Sequence, residues 1–118
     1  MTSTTERLRD SRRIVAVLRG RQQRAGYLLG VHAATDRDAG TPRVAVVASR
    51  RVGDAVNRNR AKRLLREASR RVSWRPGADI VLVARATCAE STLGDVEREL
   101  SRLAAELDVG SGGQEQLG

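Results

Sequence analysis

The stretch Ser49–Ala68, SRRVGDAVNRNRAKRLLREA, decides how this chain folds. Gly53 and Asp54 interrupt the pattern before them, and from Ala55 onward the apolar residues recur at helical spacing. On a wheel of about 100° per residue, Ala61, Leu64, Leu65, Ala68 and the later Val72 share one arc. This predicts a helix over about Ala55–Val72 that lays the apolar arc on a sheet. Arg58, Lys62 and Arg66 stand at i, i+4 and i+8, and Asn59, Arg63 and Arg70 complete the opposite arc. Arg60, Glu67 and Arg71 occupy a flank, where Glu67 can pair with Arg63 or Arg71. Like charges at this spacing each cost an isolated helix about 0.2–0.5 kcal/mol. An ordinary solvated face mixes signs, whereas here Glu67 alone opposes the row. The pattern therefore reads as a phosphate-binding stripe: a polyanion would relieve the repulsion and release counterions.

Outward from this helix, the flanks supply the sheet. Val44–Ser49 (VAVVAS) is a near-continuous apolar run, read as a central strand. Tyr27–Ala34 reads as a strand with Tyr27, Leu29, Val31 and Ala33 alternating, joined to it by a hairpin loop over Asp36–Pro42. Ser73–Gly77 (SWRPG) ends the long helix in a turn, and Ile80–Ala84 (IVLVA) is a second buried strand. A short helix over about Arg12–Arg19 has Ser11 as its cap and Gly20 as its close, with Ile14, Val15 and Leu18 on one face. Arg21–Gly26 stays ambiguous. Thr92 and Asp95 form a capping box, after which Leu93, Val96, Leu100, Leu103 and Leu107 share a face. The fold class is α+β, a two-layer sandwich with about four strands, a long central basic helix, and helices at both ends on one face of the sheet. Residues 1–10 are read as a flexible N-terminus, 11–108 as a single RNA-binding domain, and 109–118 as a disordered tail.

Charge points to the same helix. The chain carries +8, and residues 50–75 alone hold ten basic and two acidic side chains. Residues 76–118 hold three basic and eight acidic. Such asymmetry implies a polyanionic partner. Of 22 cationic residues only Lys62 is a lysine, and arginine forks suit phosphates and stack on bases. Tyr27 and Trp74 are the only aromatics, so the core is aliphatic. Cys88 stands alone, which excludes an intrachain disulfide and fits a reducing cytoplasm. No apolar run reaches the roughly 20 residues needed to span a membrane, and MTSTTERLRD lacks an apolar signal core.

Residues that could carry chemistry are scattered. Asp95, Glu97 and Glu99 are spaced by two on a helix and do not share a face. Asp36 and Asp38 sit in a loop without an evident partner, His32 is alone on a strand, and Cys88 has no nearby histidine. No metal-ligand set, phosphate loop or dinucleotide fingerprint occurs, so neither a catalytic residue nor a small-molecule cofactor is expected on the chain.

Ser49–Ala68 closely resembles the signature of the bacterial ribonuclease P protein subunit. The match runs through Val52-Gly53, Ala55-Val56, Arg58-Asn59-Arg60, Lys62-Arg63 and Arg66-Glu67-Ala68 without a gap. ERLRDSRRIVAVLRG resembles that family's first helix and GADIVLVAR its last strand, so the resemblance covers about residues 6–107. It implies a fold similar to a small-subunit ribosomal protein domain, with a left-handed crossover that the usual rule would not predict. It also implies a function: maturation of the 5′ end of precursor transfer RNA by an endoribonuclease whose RNA subunit is the catalyst and binds Mg2+. In that family the protein is inactive alone. Carried over, Arg58, Asn59, Arg60, Lys62, Arg63 and Arg66 meet the RNA subunit, and Arg50 and Arg51 extend that surface. The resemblance further implies a cleft for the single-stranded 5′ leader between the first helix and the sheet, here Arg13, Ile14, Val17, Tyr27 and Leu29. Ile14 stands where the family usually has Phe. The residues themselves leave three other readings open: another structured-RNA binder, a DNA-binding regulator, and a metal-dependent protein nuclease. The buried strands argue against the second and the scattered acids against the third.

Overall fold

The computed structural model describes residues 5–37 and 39–112. In chain order its elements are β1 (Glu6–Arg7), α1 (Ser11–Arg19), β2 (Gln23–Ala25), β3 (Leu29–Ala34), β4 (Arg43–Val47), α2 (Ala55–Ser69), β5 (Val72–Trp74), β6 (Asp79–Ala84), α3 (Leu93–Glu106) and β7 (Gly110–Gly112). The main sheet has five strands in the order β1-β4-β6-β3-β2. The fold is α+β as expected, with five strands rather than about four. The additions, β1 and β2, are two and three residues long, too short for an alternating pattern to show.

β6 is the central strand. Its run DIVLVA is apolar on both faces, as a strand covered from two sides requires. It pairs parallel with β4 and antiparallel with β3. Two expectations change accordingly. β4 is not central, and Asp36–Pro42 does not close a hairpin, because β6 lies between β3 and β4. β4 and β6 are instead joined through α2, so the long helix is the crossover of a parallel pair.

Strand alternation divides the core in two. Leu29, Val31, Ala33, Ile80, Leu82 and Ala84 face α2 and α3, meeting Ala61, Leu65, Ala68, Val96, Leu100 and Leu103. Ala45, Val81, Val47 and Val83 face the other way, toward Val17, Ile14 and Leu18 of α1. The helices were expected on one face, but α1 covers the opposite face from the other two. Its apolar stripe is Ile14, Val17 and Leu18 rather than Ile14, Val15 and Leu18, since Val15 is 43% exposed and Val17 is buried, and a periodicity argument does not say which side of the sheet receives it.

Chain ends and caps refine further boundaries. Asp10, not Ser11, caps α1, accepting from the Arg12 N–H at 3.0 Å, and Gly20 closes it. Thr92 caps α3 by accepting from the Asp95 N–H, while the Asp95 carboxylate turns to Arg98 rather than back across the box. α2 ends at Ser69, and Val72–Trp74 leaves it as a strand paired with β7. The expected flexible N-terminus and disordered tail therefore contain structure. β1 pairs with Arg43–Val44 and leads into buried Leu8, and Val109 is buried ahead of β7. The remainder of those two segments, 1–4 and 113–118, lies outside the described residues. Among the described residues no helix is long and apolar enough to cross a membrane.

Candidate nucleic-acid interface

The entry to α2 is built for a sharp turn. After β4, a 3-10 turn over Arg50–Val52 is capped by Ser49, and Gly53 takes φ +133, a conformation that side-chain-bearing residues avoid. Asp54 then caps α2, accepting from the Asn57 N–H at 3.0 Å. The turn carries Arg50 and Arg51 outward beside the first turn of the helix, where both are exposed.

Packing sorts the cations of α2. Ala61, Leu65 and Ala68 are fully buried under the helix. Arg58, Lys62 and Arg66 are half-buried along its border, whereas Asn59, Arg63 and Arg70 form the exposed crest. Arg58 donates through Nη1 to the Gly53 carbonyl at 2.7 Å, bracing the turn. Arg60 reaches the other way, donating to the Ala89 carbonyl at 2.6 Å, and so ties α2 to the segment before α3. Glu67 binds Arg70 at 3.0 Å, not Arg63 or Arg71, and Arg71 pairs with Glu97 at 2.9 Å. Arg50, Arg51, Asn59, Lys62, Arg63 and Arg66 have no side-chain partner among the described residues. The Arg66 guanidinium is pushed below its usual range by burial, and then by repulsion from Arg7 and Arg70. This is an assembled but uncompensated cationic surface.

A second arginine cluster has the opposite character. Asp79, at the start of β6, is fully buried. It accepts from Arg13 of α1 at 2.7 Å, from Arg43 of β4 at 2.7 Å, and stands 3.1 Å from Arg37. Arg13 also binds Asp36 at 2.5 Å, so Asp36 has a partner after all, while Asp38 lies outside the described residues. Burial raises the Asp79 carboxyl, but the hydrogen bonds from Arg43 and Arg13 outweigh it and hold the group below the usual carboxylate range.

Other polar candidates are accounted for structurally. Glu99 accepts from the N–H groups of Tyr27, Leu28 and Leu29 at 3.1, 2.7 and 2.9 Å, closing the start of β3 against α3. Gly26 is needed there, since a Cβ would sit 2.4 Å from the Glu99 carboxyl carbon. Cys88 is buried, and desolvation pushes its thiol up to about 11, away from thiolate chemistry. His32 is half-buried on the α1 side, and burial lowers it below its usual value. Among the described residues no three His, Cys, Asp or Glu side chains come together as a metal site.

Comparison with known proteins converges on one family. The family profile described as Ribonuclease P matches residues 2–108. The ribonuclease P protein component of Ruegeria pomeroyi is 41% identical over 109 residues, covering 83% of this chain and 86% of that protein. This chain belongs to the ribonuclease P protein family. The component from Dehalococcoides mccartyi is 42% identical over 67 residues, and that match spans only 56% of the relative's length. The RNase P protein from Thermotoga maritima shares the fold at a TM-score of 0.70 and 27% identity, covering 83% of this chain and 94% of that one. The Staphylococcus aureus RNase P protein does so at 0.73 and 19%, covering 90% and 98%, a likeness of fold alone.

Within this chain, the five residues expected to line a leader cleft do not come together. Val17 and Leu29 are buried to 1% and 0% exposure, and they face opposite sides of the sheet. Arg13 is committed to Asp79 and Asp36. Tyr27, 73% exposed, precedes β3 and borders a cavity whose other walls include Glu90, Asp95 and Glu99 near α3, not α1. Ile14 keeps a half-buried place on the α1 side, near partly open Leu18, Val47 and Val83. Alternation correctly grouped Leu29, Val31 and Ala33 on one face, which α2 and α3 occupy, but Tyr27 lies outside β3 and is exposed while Leu28 joins that core. The residues that sequence reading missed are Arg37, Arg43 and Asp79. A carboxylate at the head of an otherwise apolar strand was the available signal, and Arg43 is its register partner.

Proposed function

We propose that this chain is the protein subunit of ribonuclease P, which binds the catalytic RNA and the 5′ leader of precursor transfer RNA and so promotes Mg2+-dependent removal of that leader. The observation that carries this reading is the unpaired surface of Arg50, Arg51, Asn59, Lys62, Arg63 and Arg66, set on the turn into α2 and on that helix, whose other face is locked into the core. Preorganised arginines meet phosphates without first breaking internal ion pairs. If about five of them neutralise phosphates, log Kobs falls with log salt at a slope of about −3.5 to −4.5. Arg58 and Arg60 contribute by holding the ends of this surface in place as well as by charge.

The leader is assigned to the α1 side of the sheet, along Ile14, Leu18 and the half-open end of β4 and β6. Contact there is aliphatic and polar rather than aromatic stacking. The reaction itself is assigned to the RNA subunit, with Mg2+ supplying charge neutralisation on that RNA. The chain's own part is to bind, to orient the leader, and to lower the phosphate repulsion between two RNAs. The setting is the cytoplasm, where the RNA partners are made.

Reconstitution tests this directly. The purified chain, the matching RNA subunit and a precursor transfer RNA are combined at low Mg2+, and 5′ cleavage is followed. Stimulation over the RNA alone is expected, and a rate equal to that of the RNA alone overturns the reading. RNA binding without stimulation would instead favour a general structured-RNA module.

A further inference from the structure

The cationic surface does not stop at the exposed crest of α2. Strand β1 runs along the edge of the sheet beside β4, and its two residues point to opposite faces. Glu6 falls in register with Arg43, the side on which Ala45 meets α1, and it contributes to raising the Arg43 guanidinium. Arg7 falls in register with Val44, the side on which α2 lies. A groove of about 340 Å³ opens there between the sheet edge and the last turns of the helix. Val44 and Val46 contribute to it from β4, and Arg7, Arg66, Ser69 and Arg70 from either side.

Three guanidiniums thus converge on one groove from two separate elements. Arg7 and Arg66 have no side-chain partner among the described residues, and Arg70 has only the exposed i, i+3 pair with Glu67. Such a surface pair is weak and easily exchanged. Glu6 also borders the groove, but its strand position directs it toward Arg43. The helix end disfavours an anion by about half a charge, yet the terminal Arg66 carbonyl is already satisfied by Ser69 Oγ and the Arg70 N–H. Three full charges outweigh it. Burial and then repulsion from Arg7 and Arg70 depress the Arg66 guanidinium, and an anion placed between the three relieves that repulsion.

We propose that the β1–α2 groove seats a phosphate of the RNA backbone, held jointly by Arg7, Arg66 and Arg70, so that the RNA surface wraps from α2 over the sheet edge. The inference deepens the reading given above and rests on it. Phosphate is the shared chemistry of an RNA backbone and of free inorganic phosphate, and the two sources can be separated.

The test is the Arg7→Ala, Arg70→Ala double variant of the full chain. In the first arm, binding to the ribonuclease P RNA is measured across a salt series. The variant is expected to bind about tenfold more weakly, with a log–log slope shallower by about 0.7–0.9 for one lost phosphate. Arg7→Lys with Arg70→Lys should recover most of that slope. In the second arm, inorganic phosphate is titrated against the melting temperature of the chain alone at constant ionic strength. An unchanged slope in the first arm overturns the proposal. Loss of phosphate protection in the second arm with an unchanged slope in the first assigns the groove to free phosphate, which also overturns the RNA backbone as its occupant. Should the alanine pair fail to fold, Arg7→Gln with Arg70→Gln keeps the aliphatic stems and is read by the same outcomes. Failure of the parent reading is distinct, since it would appear as no stimulation of cleavage by the unmodified chain.

Discussion

Two sets of arginines on this chain are alike in chemistry and opposite in condition. Arg13, Arg37 and Arg43 surround one buried carboxylate, Asp79, and spend their charge inside the protein. Arg50, Arg51, Lys62, Arg63 and Arg66 surround nothing of their own. The first set joins α1, the loop after β3, and β4 at the head of the central strand. The second projects from α2, which the core holds rigidly, and from the turn that enters it. Net charge counts both sets equally, but only the second is available to a polyanion. What distinguishes them is the location of carboxylates, which the chain places at the sheet's head and on α3 but largely withholds from α2.

The comparison breaks most visibly at Asp79. Asp79→Ala leaves three guanidiniums facing one another at the head of β6, and losing one partner of a buried ion cluster costs about 3–5 kcal/mol. Urea unfolding is expected to show that loss, and an unchanged midpoint would mean the cluster is ornamental. Acid gives the same result without mutation. The folded-state carboxyl is held below its usual value, so its stabilisation is present above about pH 4 and is lost as pH falls through the depressed folded value. Asp79→Asn should flatten that acid limb. A shallower decline beginning near pH 6.5 should survive in the variant, because His32 is also held below its usual value and must charge.

Removing the free set should do the reverse. Replacing Arg51, Lys62 and Arg63 with Ala together is expected to weaken RNA binding about a hundredfold and flatten the salt slope by about 2–3. The melting temperature should hold or rise, since helix repulsion is relieved. A fall in stability comparable to that of Asp79→Ala would erase the distinction between the two sets.

Arg60 sits between the categories. It belongs to the matched motif, yet its guanidinium donates to the Ala89 carbonyl. Arg60→Ala is expected to cost about 1 kcal/mol of stability and to weaken RNA binding less than loss of Arg63. If the salt slope falls by as much as for Arg63→Ala, Arg60 meets phosphate directly.

How much of this was legible follows from range. The packing face of α2 was readable because Ala61, Leu65 and Ala68 are set by a local period, and the crest followed as its complement. The central β6 was readable as an apolar run, though its rank in the sheet was not: strand order depends on pairings across the whole chain. β1 and β7 escaped for the same reason, being two or three residues held by distant partners. The Asp79 cluster draws on side chains up to 66 residues apart, so no window contains it. The structure does not bring the leader set together, because that set combined residues from both sheet faces. Alternation says which residues share a face but not which helix covers it.

Tyr27 offers the smallest effect and the finest discrimination. Its main chain is held by Glu99 at the N–H and by Thr87 at the carbonyl, both of which an alanine would preserve. Its ring is 73% exposed, so Tyr27→Ala should change stability by no more than about 0.5 kcal/mol. A ring that stacked on a leader base would lose about 1–3 kcal/mol of substrate affinity on removal. The position argues against such a contact: the ring borders a cavity of mixed charge beside α3, lined by Arg98 and Arg102 as well as by Glu90, Asp95 and Glu99, while the leader is assigned to the α1 side of the sheet. Affinities for long-leader and leaderless substrates are therefore expected to change equally in the variant. A loss confined to the long-leader substrate would return Tyr27 to the leader path and require that path to pass around the sheet edge at β2, rather than follow Ile14 and Leu18.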